Sequence, residues 1–106
     1  MTPHVETQIQ ADTMQQNVGR ATDFLKALAN QSRLMILCIL SEGEHNVSEI
    51  EARLTLRQPT LSQQLARLRE DGLVETRREG KTIIYSLASD DARAVVGLVH
   101  QLFCEE

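Results

Sequence analysis

The chain has 106 residues, 42% of them hydrophobic and 25% charged, which is room and composition for one modest globular domain. Two Phe, one Tyr and no Trp exclude an aromatic platform on which single-stranded nucleic acid would stack. The net charge is −4, no run of about 18 apolar residues marks a membrane span, and no basic-then-apolar leader opens the chain, so the expected setting is the cytoplasm.

Residues 1–11 are polar and unpatterned and are expected to form a flexible tail, leaving 12–106 as a single domain. Asp12 or Thr13 is placed to cap a first helix running to about Ala29, with Val18, Ala21, Leu25 and Leu28 recurring at spacings of three and four. Asn30 caps a second helix over 31–41. Its 34–40 stretch is apolar nearly all round, as in a central buried helix, and Gly43 ends it. Ser48 and Glu51 have the spacing of a capping box for a third helix through Leu54. A tight turn over 55–58 follows, and Pro59 suits the first position of a fourth helix, where a missing N–H costs nothing. That helix reaches about Asp71 with Leu61, Leu65 and Leu68 facing inward, and Gly72 closes it.

Beyond Gly72 the apolar period becomes two: 73–78 and 82–87 read as strands joined by a short loop over 79–81. Ser89 or Asp90 caps a last helix to about Cys104, with Val95, Val96, Val99, Leu102 and Phe103 as its apolar side. The expected fold is mainly α with a small antiparallel β-hairpin, in the order α-α-α-α-β-β-α.

A short helix, a tight turn, a longer polar-faced helix and a hairpin make the layout of a winged helix-turn-helix. An α-helix fits the major groove of B-DNA, where its outward side chains must be able to hydrogen-bond to base edges. Gln58, Thr60, Ser62, Gln63, Gln64 and Arg67 on the fourth helix are of that kind, whereas a merely solvated helix face carries more Glu and Lys. Arg77, Arg78 and Lys81 place positive charge on the hairpin, suited to phosphates or a minor groove. Between Arg53 and Lys81 seven basic residues stand against four acidic ones, so a positive stretch lies inside an acidic protein. No nucleophile–base–acid set, phosphate-cradling glycine loop or metal cluster is legible, so neither an enzyme nor a cofactor is expected.

The run Leu25-Lys26-Ala27-Leu28-Ala29-Asn30-Gln31-Ser32-Arg33-Leu34 with Ile36-Leu37-Cys38 resembles the signature of the ArsR family of small dimeric repressors. Gln58-Pro59-Thr60-Leu61-Ser62-Gln63-Gln64-Leu65, Leu68-Arg69-Glu70 and residues 72–78 are similar to its recognition helix and wing. The likeness runs from about Phe24 to Cys104. It implies a homodimer built through the first and last helices, with Leu25, Val95, Val99 and Leu102 as candidate contacts, that binds a palindromic double-stranded operator and leaves it on sensing an inducer.

Many members of that family sense metals, but their ligand positions are not matched here. A Cys-x-Cys on the third helix has no counterpart in 47–51. In a second family site, on the last helix, Arg93 and Phe103 occupy two ligand positions. No metal site is therefore expected. Two cysteines, Cys38 in the second helix and Cys104 at the end of the last, resemble the pattern of a subgroup with BigR- and HlyU-like repressors, which respond to persulfides and polysulfides. The resemblance implies an intrachain link between Cys38 and Cys104, either a disulfide or a short polysulfide bridge. A general oxidant or a metal ion as inducer is the alternative, and the sequence does not choose the chemistry.

Overall fold

The computed structural model describes residues 4–54 and 58–103, with side chains from 13 to 54 and from 60 to 103. Its elements are α1 (His4–Leu28), α2 (Gln31–Ser41), β1 (His45–Asn46), α3 (Val47–Arg53), α4 (Gln58–Glu70), β2 (Val74–Glu79), β3 (Thr82–Leu87) and α5 (Asp90–Phe103). This is the expected winged helix-turn-helix with one strand more. β1 is two residues long, too short for any periodicity, yet it pairs His45 with Tyr85 and Asn46 with Ile84, giving a three-stranded antiparallel sheet in the order β1-β3-β2.

The ends of the helices follow local chemistry. Asn30 caps α2 by accepting a bond from the Arg33 amide at 3.1 Å, and Ser89 caps α5 by accepting from the Ala92 amide at 3.1 Å. The capping box of α3 lies two residues before the expected Ser48–Glu51 pair. Asn46 Oδ1 accepts from the Glu49 amide (2.8 Å), and Glu49 Oε1 accepts from the Asn46 amide (2.7 Å). Both pairs fit the same spacing rule. Asn46 takes the role because β1 delivers it to the helix in extended conformation, φ −87° and ψ 172°. α1 begins at His4, inside the segment read above as a tail. Residues 4–11 contain no Gly or Pro to break a helix, and apolar periodicity detects packing against a core, not helicity itself.

α2 is the centre of the fold, with Ile36, Leu37, Ile39 and Leu40 buried. α5 packs along it and contributes Ala92 and Val96. Leu61, Leu65 and Leu68 are fully buried and fix α4 against this core, while Ile50 does the same for α3. Val74 and Leu87 anchor the sheet, so the rest of the β2–β3 hairpin, the wing, extends outward from that point. Its tip is a two-residue turn between Glu79 and Thr82, with Gly80 at φ +65°, the left-handed value demanded at the first central position of a tight hairpin.

Candidate nucleic-acid interface and sensing helices

Because Leu61, Leu65 and Leu68 form one buried stripe, the side of α4 that faces away is set by the helical period of about 100° per residue. Gln63 falls almost opposite that stripe and is exposed, as are Thr60, Ser62 and Arg67, whereas Gln64 is half-buried. The Gln58 side chain lies outside the described residues. Ser62 and Arg67 turn toward different flanks. Ser62 lines a groove of about 480 Å³ with Arg69 and Tyr85, on the wing side. Arg67 lines a larger groove, about 1060 Å³, with Arg20, Arg33, Asp71 and Asp91, on the side of α1 and α5. Arg69 and Tyr85 escape a sequence reading because only the fold brings the sheet beside α4.

Arg78 and Lys81 stand exposed on the wing. Arg77 is exposed too, but it is tied into ion pairs. Its Nε and Nη2 donate to the Glu44 carboxylate at 3.2 and 2.8 Å, and its Nη1 donates to Glu79 at 2.5 Å. The hydrogen bond from Arg77 holds the Glu44 carboxyl below its ordinary range, and the same bond, with that to Glu79, raises the Arg77 guanidinium further. A second pair joins Glu42, just past α2, to Arg53 of α3 at 2.5 and 3.1 Å, and likewise lowers the Glu42 carboxyl. Stabilisation from a depressed carboxyl is present above its ordinary range and fades as pH falls through the depressed value. Glu42 and Glu44 were not legible as site residues, since their partners lie 11 and 33 positions away.

Cys38 is half-buried against the core on α2, and the Ser41 hydroxyl donates to its carbonyl oxygen at 2.6 Å. Cys104, the other expected sensing residue, lies outside the described residues, immediately after α5. α5, which ends at Phe103, packs along α2, which bears Cys38. Among the described residues no group of three or more His, Cys, Asp or Glu side chains is gathered to hold a metal ion.

α1 and α5 both leave apolar surface uncovered. On α1, Phe24, Ala27 and Leu28 pack inward, while Met14, Val18 and Leu25 are 57%, 52% and 55% exposed. On α5, Leu98, Leu102 and Phe103 are 55%, 64% and 80% exposed. Val99 is half-buried, Val95 is half-buried against the core, and Val96 is core outright. No single helix among the described residues is long and apolar enough to cross a membrane.

Residues 30–76 match the family described as bacterial regulatory protein, arsR family. Over 92 residues the chain is 48% identical to the transcriptional activator HlyU of Vibrio cholerae, covering 87% of this chain and 85% of that protein. The chain belongs to the arsR family. A second arsR-type relative, the biofilm growth-associated repressor of Agrobacterium fabrum, is 46% identical over 92% of this chain and 83% of its own. The solved structure of reduced HlyU from Vibrio cholerae matches with a TM-score of 0.83 at 47% identity, covering 88% of this chain and 98% of that one. Mb0332 of Mycobacterium bovis, described as a homodimeric winged helix-turn-helix DNA-binding domain, matches at 0.67 and 35% identity, covering 88% and 83%. As an arsR-family protein this chain is a DNA-binding transcriptional regulator and not an enzyme.

Proposed function

We propose that this arsR-family regulator is a cytoplasmic homodimeric repressor that binds a palindromic operator and leaves it when reactive sulfur species link Cys38 to Cys104 within one subunit. The observation that carries the sensing half is the packing of α2, which bears Cys38, along α5, which ends at Phe103 just before Cys104. The HlyU neighbour described as reduced supports a thiol-based reading, and the homodimeric Mb0332 supports the assembly.

The chemistry needs two thiols and a sulfane donor. A thiolate of one cysteine attacks the outer sulfur of a persulfide R–S–SH, releasing R–S⁻ and leaving Cys–S–SH. The second thiolate attacks the inner sulfur and expels HS⁻, so that two thiols and one R–S–SH give a disulfide, RSH and H₂S. A second persulfide equivalent leaves one sulfur atom inserted, as Cys–S–S–S–Cys, with two RSH and one H₂S. A direct disulfide requires Cα atoms within about 7 Å, and inserted sulfur relaxes that distance. Mass spectrometry of reduced protein after treatment with a persulfide, beside a gel shift, tests the reading. A plain disulfide shows as a loss of two hydrogens, and each inserted sulfur adds about 32 Da to that, so a one-sulfur bridge (about +30 Da net) separates from an open persulfide (about +32 Da). Unmodified cysteines in protein that has left its operator would defeat it.

In the same reading Gln58, Thr60, Ser62, Gln63, Gln64 and Arg67 serve the major groove, and Arg78 and Lys81 of the wing attract the backbone. Gln63→Ala should cost about 1–3 kcal/mol on the cognate operator and relax base preference at one position, since a Gln can pair bidentately with adenine. Lys81→Ala should weaken cognate and random DNA alike and flatten the salt dependence by about one charge. Competition binding across a salt series separates the two. Equal losses on cognate and random DNA for Gln63→Ala would remove that residue from base reading.

A further inference from the structure

Between α2 and β1, Glu42 and Glu44 flank Gly43 and reach different parts of the DNA-binding apparatus. Glu42 grips Arg53 at the end of α3, the first helix of the helix-turn-helix, and Glu44 grips Arg77 in the wing. Gly43 sits at φ +145°, a conformation that L side chains rarely adopt, so this turn between the two acids is written into the backbone. Its carbonyl lies 2.7 Å from His45 Nδ1 in the next strand. A three-residue loop thus fastens both α3 and the wing to the end of the central helix.

Arg77 is the revealing member. Its Nε, Nη1 and Nη2 all donate to carboxylates, two to Glu44 in a fork and one to Glu79. A DNA phosphate would have to displace an acid already in place, next to a second acid that repels it. Arg78 and Lys81, on the same hairpin, are exposed as Arg77 is, but neither is held by a carboxylate among the described residues.

We propose that Glu44 is a positioning residue for DNA binding: by holding Arg77 it sets the angle of the wing against α2, and Arg77 is a strut and not a phosphate contact. This rests on the reading of Arg78 and Lys81 as the wing's backbone contacts. Two consequences run against simple electrostatics. Removing the negative charge of Glu44 weakens DNA binding, although loss of an acid near DNA ordinarily strengthens it. Removing the positive charge of Arg77 weakens binding without changing the number of counterions released, because no phosphate contact is lost.

The experiment compares the full-length parent, Glu44→Gln, Arg77→Gln, their double variant and Lys81→Ala by DNA affinity across a salt series. Hydrogen exchange of the Thr82–Leu87 amides in the DNA-free protein accompanies it. The pairs are about half exposed, and exposed pairs are individually weak, so the expected loss is about two- to fivefold for Glu44→Gln. Arg77→Gln should lose a similar amount with an unchanged salt slope, and the double variant should be no worse than either single one. Wing amides should exchange faster in both singles. Equal or tighter binding by Glu44→Gln, unchanged wing exchange, or a slope reduced by about one charge in Arg77→Gln would each overturn the proposal. A Lys81→Ala protein that binds DNA like the parent would instead overturn the wing reading alone, with the exchange data still deciding whether Glu44 holds the wing.

Discussion

Leu102→Asp is expected to turn the protein into a folded monomer with at least a hundredfold weaker operator binding. Leu102 is 64% exposed, so a single chain accommodates aspartate there with little strain. In a twofold-symmetric pairing through α1 and α5 the same substitution enters the interface twice. Each copy leaves an uncompensated charge among apolar side chains, a defect worth about 3–5 kcal/mol when buried, or more than a hundredfold in an equilibrium constant. Operator binding falls with it, because a helix-turn-helix dimer spans two successive major grooves about 34 Å apart and a monomer reaches one. Sedimentation equilibrium gives the assembly state, and far-ultraviolet circular dichroism confirms that the monomer is folded. If the parent protein sediments as a stable monomer at micromolar concentration, the uncovered faces of α1 and α5 serve something else.

The second large effect concerns release. Cys38→Ser and Cys104→Ser should each bind the operator as the parent does, since neither residue belongs to α4 or the wing and Cys38 lies on α2 against the core. Each should then stay bound when a persulfide donor is added, under conditions that lower the affinity of the parent at least tenfold. Such a fall requires the bridge to favour the DNA-free arrangement by only about 1.4 kcal/mol. Cys38→Ser exchanges one small side chain for another at a half-buried site, so modest destabilisation is expected there. Release of Cys104→Ser from DNA on persulfide treatment would end the two-thiol mechanism, and diamide or metal titration would then identify the inducer.

Much of this architecture is legible along the chain because it is enforced locally or by a strong period. Leu61, Leu65 and Leu68 sit where the spacing puts them, Asn30 caps α2 as its chemistry requires, and the alternation after Gly72 gives the wing. What escaped was either too short or too distant. β1 has two residues and draws its strand character from pairing with β3, and the box at Asn46 competes with an equally good pattern two positions on. The ion pairs of Glu42 and Glu44 depend on contacts that no local spacing encodes. On the reading side, the sequence lists which polar residues α4 carries, but only the fold sends Ser62 toward the wing and Arg67 toward α1. It likewise ranks Val96 with Leu102, whereas packing separates them completely, at 0% and 64% exposure.

The uncovered leucines of α1 and α5 also bear on how a promoter under this regulator responds to supply. Where the chain is scarce relative to its self-association constant, the concentration of the DNA-competent species varies as the square of the amount synthesised. Halving synthesis then lowers that species about fourfold, and doubling it raises it about fourfold. A gene silenced by the protein would therefore react more sharply to changes in the regulator's copy number than to equal changes in operator affinity. Weakening the apolar contact, for instance by Leu98→Ala, moves the range of expression levels over which this sharpness holds. In the proposed dimer the hydrophobic face of these two helices is in this sense a dosage setting, adjustable without touching the residues proposed to meet DNA or sulfur.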